Sequence, residues 1–242
     1  MGAAPRRRRD EDALTEKQKP SRLPVFLFKP PHVDARALIF DMDGLMVDSE
    51  PLWFEVEREF ARSRGGDWTH DVAQACVGRG LANTLATMRE RFVFDLDPIR
   101  DANEIVERFI ARVDTLDLKL GCRDLLEHAR GRVPIAVGSS SARKLVHATL
   151  DRFAIRAWFG AVVSGDDVPR PKPAPDIFLR AAEILGVAPS KCVVLEDAFA
   201  GVAAARAAGM RVIAVPEAPD PAFAGADLVV RDLVEARAAL RF

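Results

Sequence analysis

Ala37-Leu38-Ile39-Phe40 runs directly into Asp41-Met42-Asp43-Gly44. A short unbroken apolar run that ends in a turn is the pattern of a strand buried on both faces, as in a parallel sheet. Asp41 and Asp43 then fall just past its C-terminal end, where open α/β sheets place their ligand sites. Two carboxylates about 4 Å apart repel by ~4 kcal/mol at an effective dielectric of 20. The pair therefore requires a cation, a shared proton, or both.

Runs of the same kind recur at residues 134–138, 161–164, 192–195 and 211–215, with 228–230 as a sixth. Helical periodicity covers 121–131, 142–153, 174–185 and 198–208, and Gly209 suits the C-cap of the last. Strands alternating with helices of this length predict an α/β fold with a parallel sheet in right-handed crossovers. After the first strand the pattern changes. Residues 52–64 read as a helix stopped by Gly65-Gly66, and 68–116 stay helical apart from the short run 92–94. A helical block of about 65 residues inserted there predicts a separate lid. The expected division is a core of 35–51 and 119–242, a helical cap of 52–118, and a disordered tail of 1–34. That tail holds the basic run Arg6 to Arg9, five prolines and the acidic cluster Asp10-Glu11-Asp12, which argues against a transit peptide.

Lys and Arg total 35 against 36 Asp and Glu, a net charge of −1. That balance gives no footprint for nucleic acid or an anionic membrane. Cys76, Cys122 and Cys192 lack metal-type spacing and fit buried thiols in a reducing, cytoplasmic compartment. No apolar run approaches the ~20 residues of a membrane-spanning helix. No heptad pattern announces a partner chain, so a monomer is expected.

The predicted strands deliver one consistent set of polar residues. The first ends in Asp41 and Asp43, the second in Ser139 and Ser140, and the fourth in Glu196 and Asp197; Lys172 lies in the loop after the third. Each alone has an ordinary explanation, since Asp or Ser after a strand is often a helix N-cap and acids favour a first helical turn. Together they form a cluster of acids for a hard cation, one fixed ammonium and hydroxyl donors, all able to meet in one crevice. Mg²⁺ prefers a few carboxylates plus water and phosphate oxygens, and a lysine and a serine can hold the remaining phosphate oxygens. The chemistry indicated is phosphoryl transfer, with one carboxylate as nucleophile and a second as acid and base. Arg79, in the glycine-flanked turn Gly78-Arg79-Gly80 of the lid, is a further candidate for reaching substrate phosphate.

Residues 40–51 resemble the first motif of the haloacid dehalogenase-like hydrolase superfamily, in its beta-phosphoglucomutase-like, sugar-phosphate phosphatase branch. Ser139 is similar to the second motif, residues 172–178 to the third and 195–202 to the fourth. The resemblance implies a Rossmann-like core and a Mg²⁺-dependent phosphatase of a small phosphorylated metabolite. It casts Asp41 as the residue that takes the phosphoryl group and Asp43 as general acid and base. Ser139, Ser140 and Lys172 would bind the phosphoryl group. Asp41, the Asp43 carbonyl, Glu196 and Asp197 would hold Mg²⁺. Presence of Asp43 argues against dehalogenases, which lack that second Asp. Trp53 stands where the mutase carries histidine, and Leu81 where it carries arginine. Both departures favour hydrolysis over isomerisation. A mutase, or a non-catalytic binding protein on the same fold, remains the alternative.

Overall fold

The computed structural model describes residues 32–92, 95–218 and 220–242. Its strands are β1 (Val33–Asp34), β2 (Ala37–Phe40), β3 (Ile135–Gly138), β4 (Ala161–Val163), β5 (Cys192–Glu196), β6 (Arg211–Ala214), β7 (Leu228–Val229) and β8 (Leu240–Arg241). Six of them form a wholly parallel sheet in the order β4-β3-β2-β5-β6-β7. From β2 the chain winds outward through β3 and β4, then crosses back to β5, β6 and β7. The order therefore reverses between β2 and β5, and a crevice opens at their C-terminal ends.

The central strand is apolar throughout because both faces are covered. Leu38 and Phe40 belong to one core with Val137, Val193 and Leu195, whereas Ala37 and Ile39 belong to a second with Ala136, Val194 and Val212. That is the two-residue alternation of a strand, here with both sides buried. Helices α7 (Asp176–Leu185) and α8 (Phe199–Ala207) cover the second core through Ile177, Phe178, Ala181, Val202 and Ala205. The first core is covered by α5 (Cys122–Ala129), α6 (Arg143–Arg152) and α9 (Leu233–Ala239).

Between β2 and α5 the chain inserts four helices, α1 (Glu50–Arg62), α2 (His70–Gln74), α3 (Leu81–Arg91) and α4 (Pro98–Ile110). The outgoing and returning segments are tied together. Asp48 N–H donates to Asp117 O at 3.0 Å, and Lys119 N–H donates to Met46 O at 2.9 Å. α1 and α4 pack through the Trp53 and Phe109 rings, 4.4 Å between centroids.

The fold is the α/β class expected, a parallel core sheet with a helical insertion. Three details differ. The expected tail through residue 34 is too long, because Val33 and Asp34 pair in parallel with Leu240 and Arg241, burying Val33 and Leu240; residues 1–31 lie outside the described residues. The helical stretch 68–116 is broken into α2, α3, α4 and a short 3-10 turn, and of the strand-like run 92–94 only Phe92 is described, just past the end of α3. The C-terminal helix α9 was not anticipated, although Asp232 caps it by accepting the Glu235 N–H at 2.9 Å. The three cysteines are buried and free, as their spacing suggested.

Candidate active site

Asp41 follows β2 and Glu196 ends β5, so the pairing of these two strands sets the two carboxylates side by side. Lys172 arrives from the loop before α7. Its Nζ donates to Asp41 Oδ1 and, at 2.6 Å, to Glu196 Oε1. All three residues are buried, and the ammonium also lies 4.8 Å from the centre of the Phe178 ring. Burial works against the lysine's charge, but Asp41 and Glu196 beside it hold its pKa above the ordinary lysine value. Glu196 spends its other oxygen on the Ala198 N–H at 2.7 Å.

Gly201 makes that arrangement possible. A Cβ built there would lie 1.6 Å from Glu196 Oε1, so no other residue lets the first turn of α8 come this close to the carboxylate.

The single ammonium does not neutralise the site. Burial first, and then Glu196 and Asp43, push the Asp41 carboxyl up to about 8 even with Lys172 opposing. Asp197 is held well above the usual carboxylate range by burial, with Glu196, Asp41 and Glu50 adding repulsion. Asp197 Oδ1 is buried with no partner among the described residues. One oxygen from each of Asp41, Glu196 and Asp197 lies within 4.8 Å of the others, a set that could hold a metal ion. An orphaned carboxylate oxygen in an over-acidic, oxygen-only cluster suits a hard divalent cation.

Asp43 is held differently. One oxygen accepts from Ser49 Oγ at 2.9 Å and from Trp53 Nε1 at 3.1 Å. The other accepts from Ser141 Oγ at 2.8 Å and from Ser139 Oγ at 3.4 Å. Its donors thus come from the first motif, from the loop after β3, and from α1 of the insertion. Ser139 in turn accepts the Ser141 N–H at 3.1 Å, while the buried Ser140 Oγ has no partner among the described residues. A free hydroxyl beside the paired acids can serve a phosphate oxygen.

These groups open into a cavity of about 450 Å³ between the sheet ends and the insertion. Asp41, Asp43, Ser139, Ser140, Glu196 and Asp197 line its floor, and Trp53, Phe54, Glu57, His70 and Thr84 are among the insertion residues lining it. Lys172 sits behind the carboxylates and outside the lining. Arg79, the candidate in the lid turn, is exposed and is not among the lining residues, although Gly78 and Gly80 on either side of it are. At Gly78, φ is +73°, and an added Cβ would meet Ala198 Cβ at 2.6 Å, so the turn rests directly on the sheet-end loop.

Ser49, Ser141 and Trp53 were not singled out as partners of Asp43 from sequence. The triple serine after the second strand was visible, but which hydroxyl faces the carboxylate depends on the loop's path.

The haloacid dehalogenase-like hydrolase family model matches residues 35–209, which includes every floor residue of the cavity. This chain belongs to the haloacid dehalogenase-like hydrolases. Fructose-1-phosphate phosphatase YqaB of Escherichia coli (strain K12) is 38% identical over 181 residues, covering 74% of this chain and 95% of that protein. Hexitol phosphatase B of the same organism is 36% identical over 215 residues, covering 82% and 93%. Among solved structures, a mutant of CbbY from Rhodobacter sphaeroides in complex with xylulose-(1,5)bisphosphate superposes with a TM-score of 0.77. It is 28% identical, and the match covers 83% of this chain and 96% of that one. As a member of this family the chain is an enzyme, a hydrolase with phosphatases among its relatives.

Proposed function

We infer that this hydrolase is a Mg²⁺-dependent phosphatase of a small sugar or polyol phosphate, working through an aspartyl-phosphate on Asp41. In this reading the Asp41 carboxylate attacks phosphorus while Asp43 donates a proton to the departing alcohol oxygen. Asp43 then removes a proton from the water that attacks the acyl phosphate, which frees inorganic phosphate and restores Asp41. Ser139 and Ser140 hold the phosphoryl oxygens in line for both steps, and the Lys172 ammonium, held by Asp41 and Glu196, offsets negative charge as the phosphoryl group enters. Mg²⁺ bound by Asp41, Glu196, Asp197 and the Asp43 carbonyl would supply charge neutralisation for the transferring phosphoryl group. The helical insertion acts as the cap that keeps bulk water from the intermediate.

The character of the cavity wall carries the choice of hydrolysis over isomerisation. Among the described residues no lysine or arginine lines the cavity, whereas Asp48, Glu50, Glu57 and Glu217 do. Glu50 is itself held above the usual carboxylate range by burial and by Glu217 beside it. A mutase must hold a bisphosphate with its second phosphate away from the nucleophile, and an acidic wall repels that group. A monophosphate with a neutral remote end meets no such penalty. The phosphatases among the relatives act, by their names, on fructose-1-phosphate and hexitol phosphates, which have such ends.

A panel of phosphate esters with Mg²⁺, comparing the native protein with Asp41→Asn, tests this reading. Each reaction is followed for free phosphate and for isomerised sugar phosphate. Free phosphate as the main product, abolished by the substitution, is expected. Isomer without free phosphate would establish the mutase instead.

A further inference from the structure

Glu57 is a buried carboxylate that neither the phosphoryl chemistry nor the metal cluster uses. It lies on α1, four residues beyond Trp53, and is 7% exposed. On its own helix, Val56 and Phe60 are buried in the first core, as are Trp68, Leu85 and Met88 of the insertion. No ion pair forms at Glu57 among the described residues. Its two oxygens are held separately. Trp68 Nε1 donates to Oε2 at 2.9 Å, and Thr84 Oγ1 donates to Oε1 at 3.3 Å. Neither donor is charged, and burial raises the carboxyl to about 7.

A carboxylate offers about four acceptor positions, and two are filled. An unpaired acid this deep destabilises a fold unless something else uses it. Glu57 also lines the cavity. The spacing on α1 locates it: Trp53, whose indole reaches Asp43, is one turn away, and four residues of helix rise about 6 Å. Glu57 and Asp43 thus line the same cavity, with Trp53 between them in contact with the acid that would serve the leaving oxygen.

We propose that Glu57 is a specificity-determining residue, accepting a hydrogen bond from a hydroxyl at the end of the substrate remote from the phosphate. The favoured ligands are then polyhydroxylated monophosphates, and the same carboxylate repels a second phosphate. Trp68 and Thr84 are positioning residues, fixing the carboxylate so that its open acceptor sites face the cavity. This assignment rests on the phosphatase reading above and extends it to the recognition of the organic part.

The test compares Glu57→Gln and Glu57→Ala with the native protein on three esters. These are the best polyol or sugar monophosphate of the panel, para-nitrophenyl phosphate, which has no hydroxyl, and a hexose bisphosphate. The ratio of kcat/KM for the polyol ester to that for the nitrophenyl ester is expected to fall roughly ten- to hundredfold in both variants. The ratio for bisphosphate over monophosphate is expected to rise several-fold in Glu57→Gln, a gain that mere loosening of the cap would not produce. Both ratios staying within about twofold of native would overturn the assignment while leaving the phosphatase standing. Native protein that hydrolyses none of the esters would instead overturn the phosphatase reading beneath it.

Discussion

The indole N–H of Trp53, on the first helix of the insertion, donates to the carboxylate of Asp43, on the core, across 3.1 Å. In the proposed mechanism, the cap therefore helps aim the side chain that handles the proton. The ring itself is fixed by Phe109 on α4. Trp53→Phe keeps an aromatic ring against Phe109 while deleting the donor. A net hydrogen bond to a charged group is worth about 1.5–3 kcal/mol, so kcat should fall roughly ten- to hundredfold with KM nearly unchanged. Steady-state kinetics at saturating Mg²⁺ reads this, and an unaltered kcat would remove Trp53 from the aiming of Asp43.

Lys172 is the one cation between two buried carboxylates. Removing one partner of a buried charge pair leaves uncompensated charge and costs about 3–5 kcal/mol. For a chain of this size each kcal/mol moves Tm by about 2–4 °C, so Lys172→Met should melt roughly ten degrees lower without metal. Its phosphatase activity should fall by at least a hundredfold. A metal-free Tm within a few degrees of native would show that the carboxylates do not depend on this ammonium.

Two glycines should fail in different ways when given a methyl group. At Gly201 the added atom collides with Glu196, so Gly201→Ala should raise the Mg²⁺ concentration needed for half-maximal activity by about tenfold or more. At Gly78 the collision is with Ala198, where the cap rests on the core. Gly78→Ala should leave the Mg²⁺ requirement in place and lower kcat/KM. Metal titration of activity separates the two, and the same shift in both would contradict the assignment.

Burial of Glu57 has a pH signature. Its folded pKa of about 7 lies above the ordinary 4.5, so the folded state holds the proton more tightly. Its favourable contribution is complete below pH 4.5 and is lost as pH rises through about 7. Relative to Glu57→Gln, the native protein should lose ~2 kcal/mol of stability between about pH 5.5 and about pH 8.5. Urea unfolding of both proteins at the two pH values measures the difference. A stability difference independent of pH would mean that Glu57 ionises as freely when folded as when unfolded.

Much of this was legible in the sequence where local pattern and topology coincide. The apolar strand before Asp41, and the chemistry at the ends of three further strands or the loops beyond them, predicted one crevice. Adjacency of β2 and β5 at the reversal of strand order is why Asp41 and Glu196 meet, and the loop before α7 brings Lys172 to them. What escaped depends on packing between distant segments. Trp53 read as a departure from a related motif, yet its partner Asp43 is ten residues away and on the core. Nothing local in the sequence distinguishes Glu57 from a surface glutamate of an amphipathic helix, because its partners Trp68 and Thr84 come from later segments of the insertion. At Gly78-Arg79-Gly80 the charged residue draws attention, but it is Gly78, through its lack of a side chain, that allows the close approach to Ala198. The short β1 and β8 depend on pairing between the two ends of the described chain and α9 on packing against α5, and local periodicity carries little of that information.

The central claim is the covalent step at Asp41. Rapid acid quench of the Mg²⁺-loaded protein during turnover of its best sugar or polyol phosphate, followed by peptide mapping, tests it most directly. The expected result is a transient acyl phosphate on Asp41, absent in Asp41→Asn, with inorganic phosphate as the final phosphorus product. Turnover retained by Asp41→Asn, or phosphate release with no phosphorylated Asp41 at any time point, would contradict it.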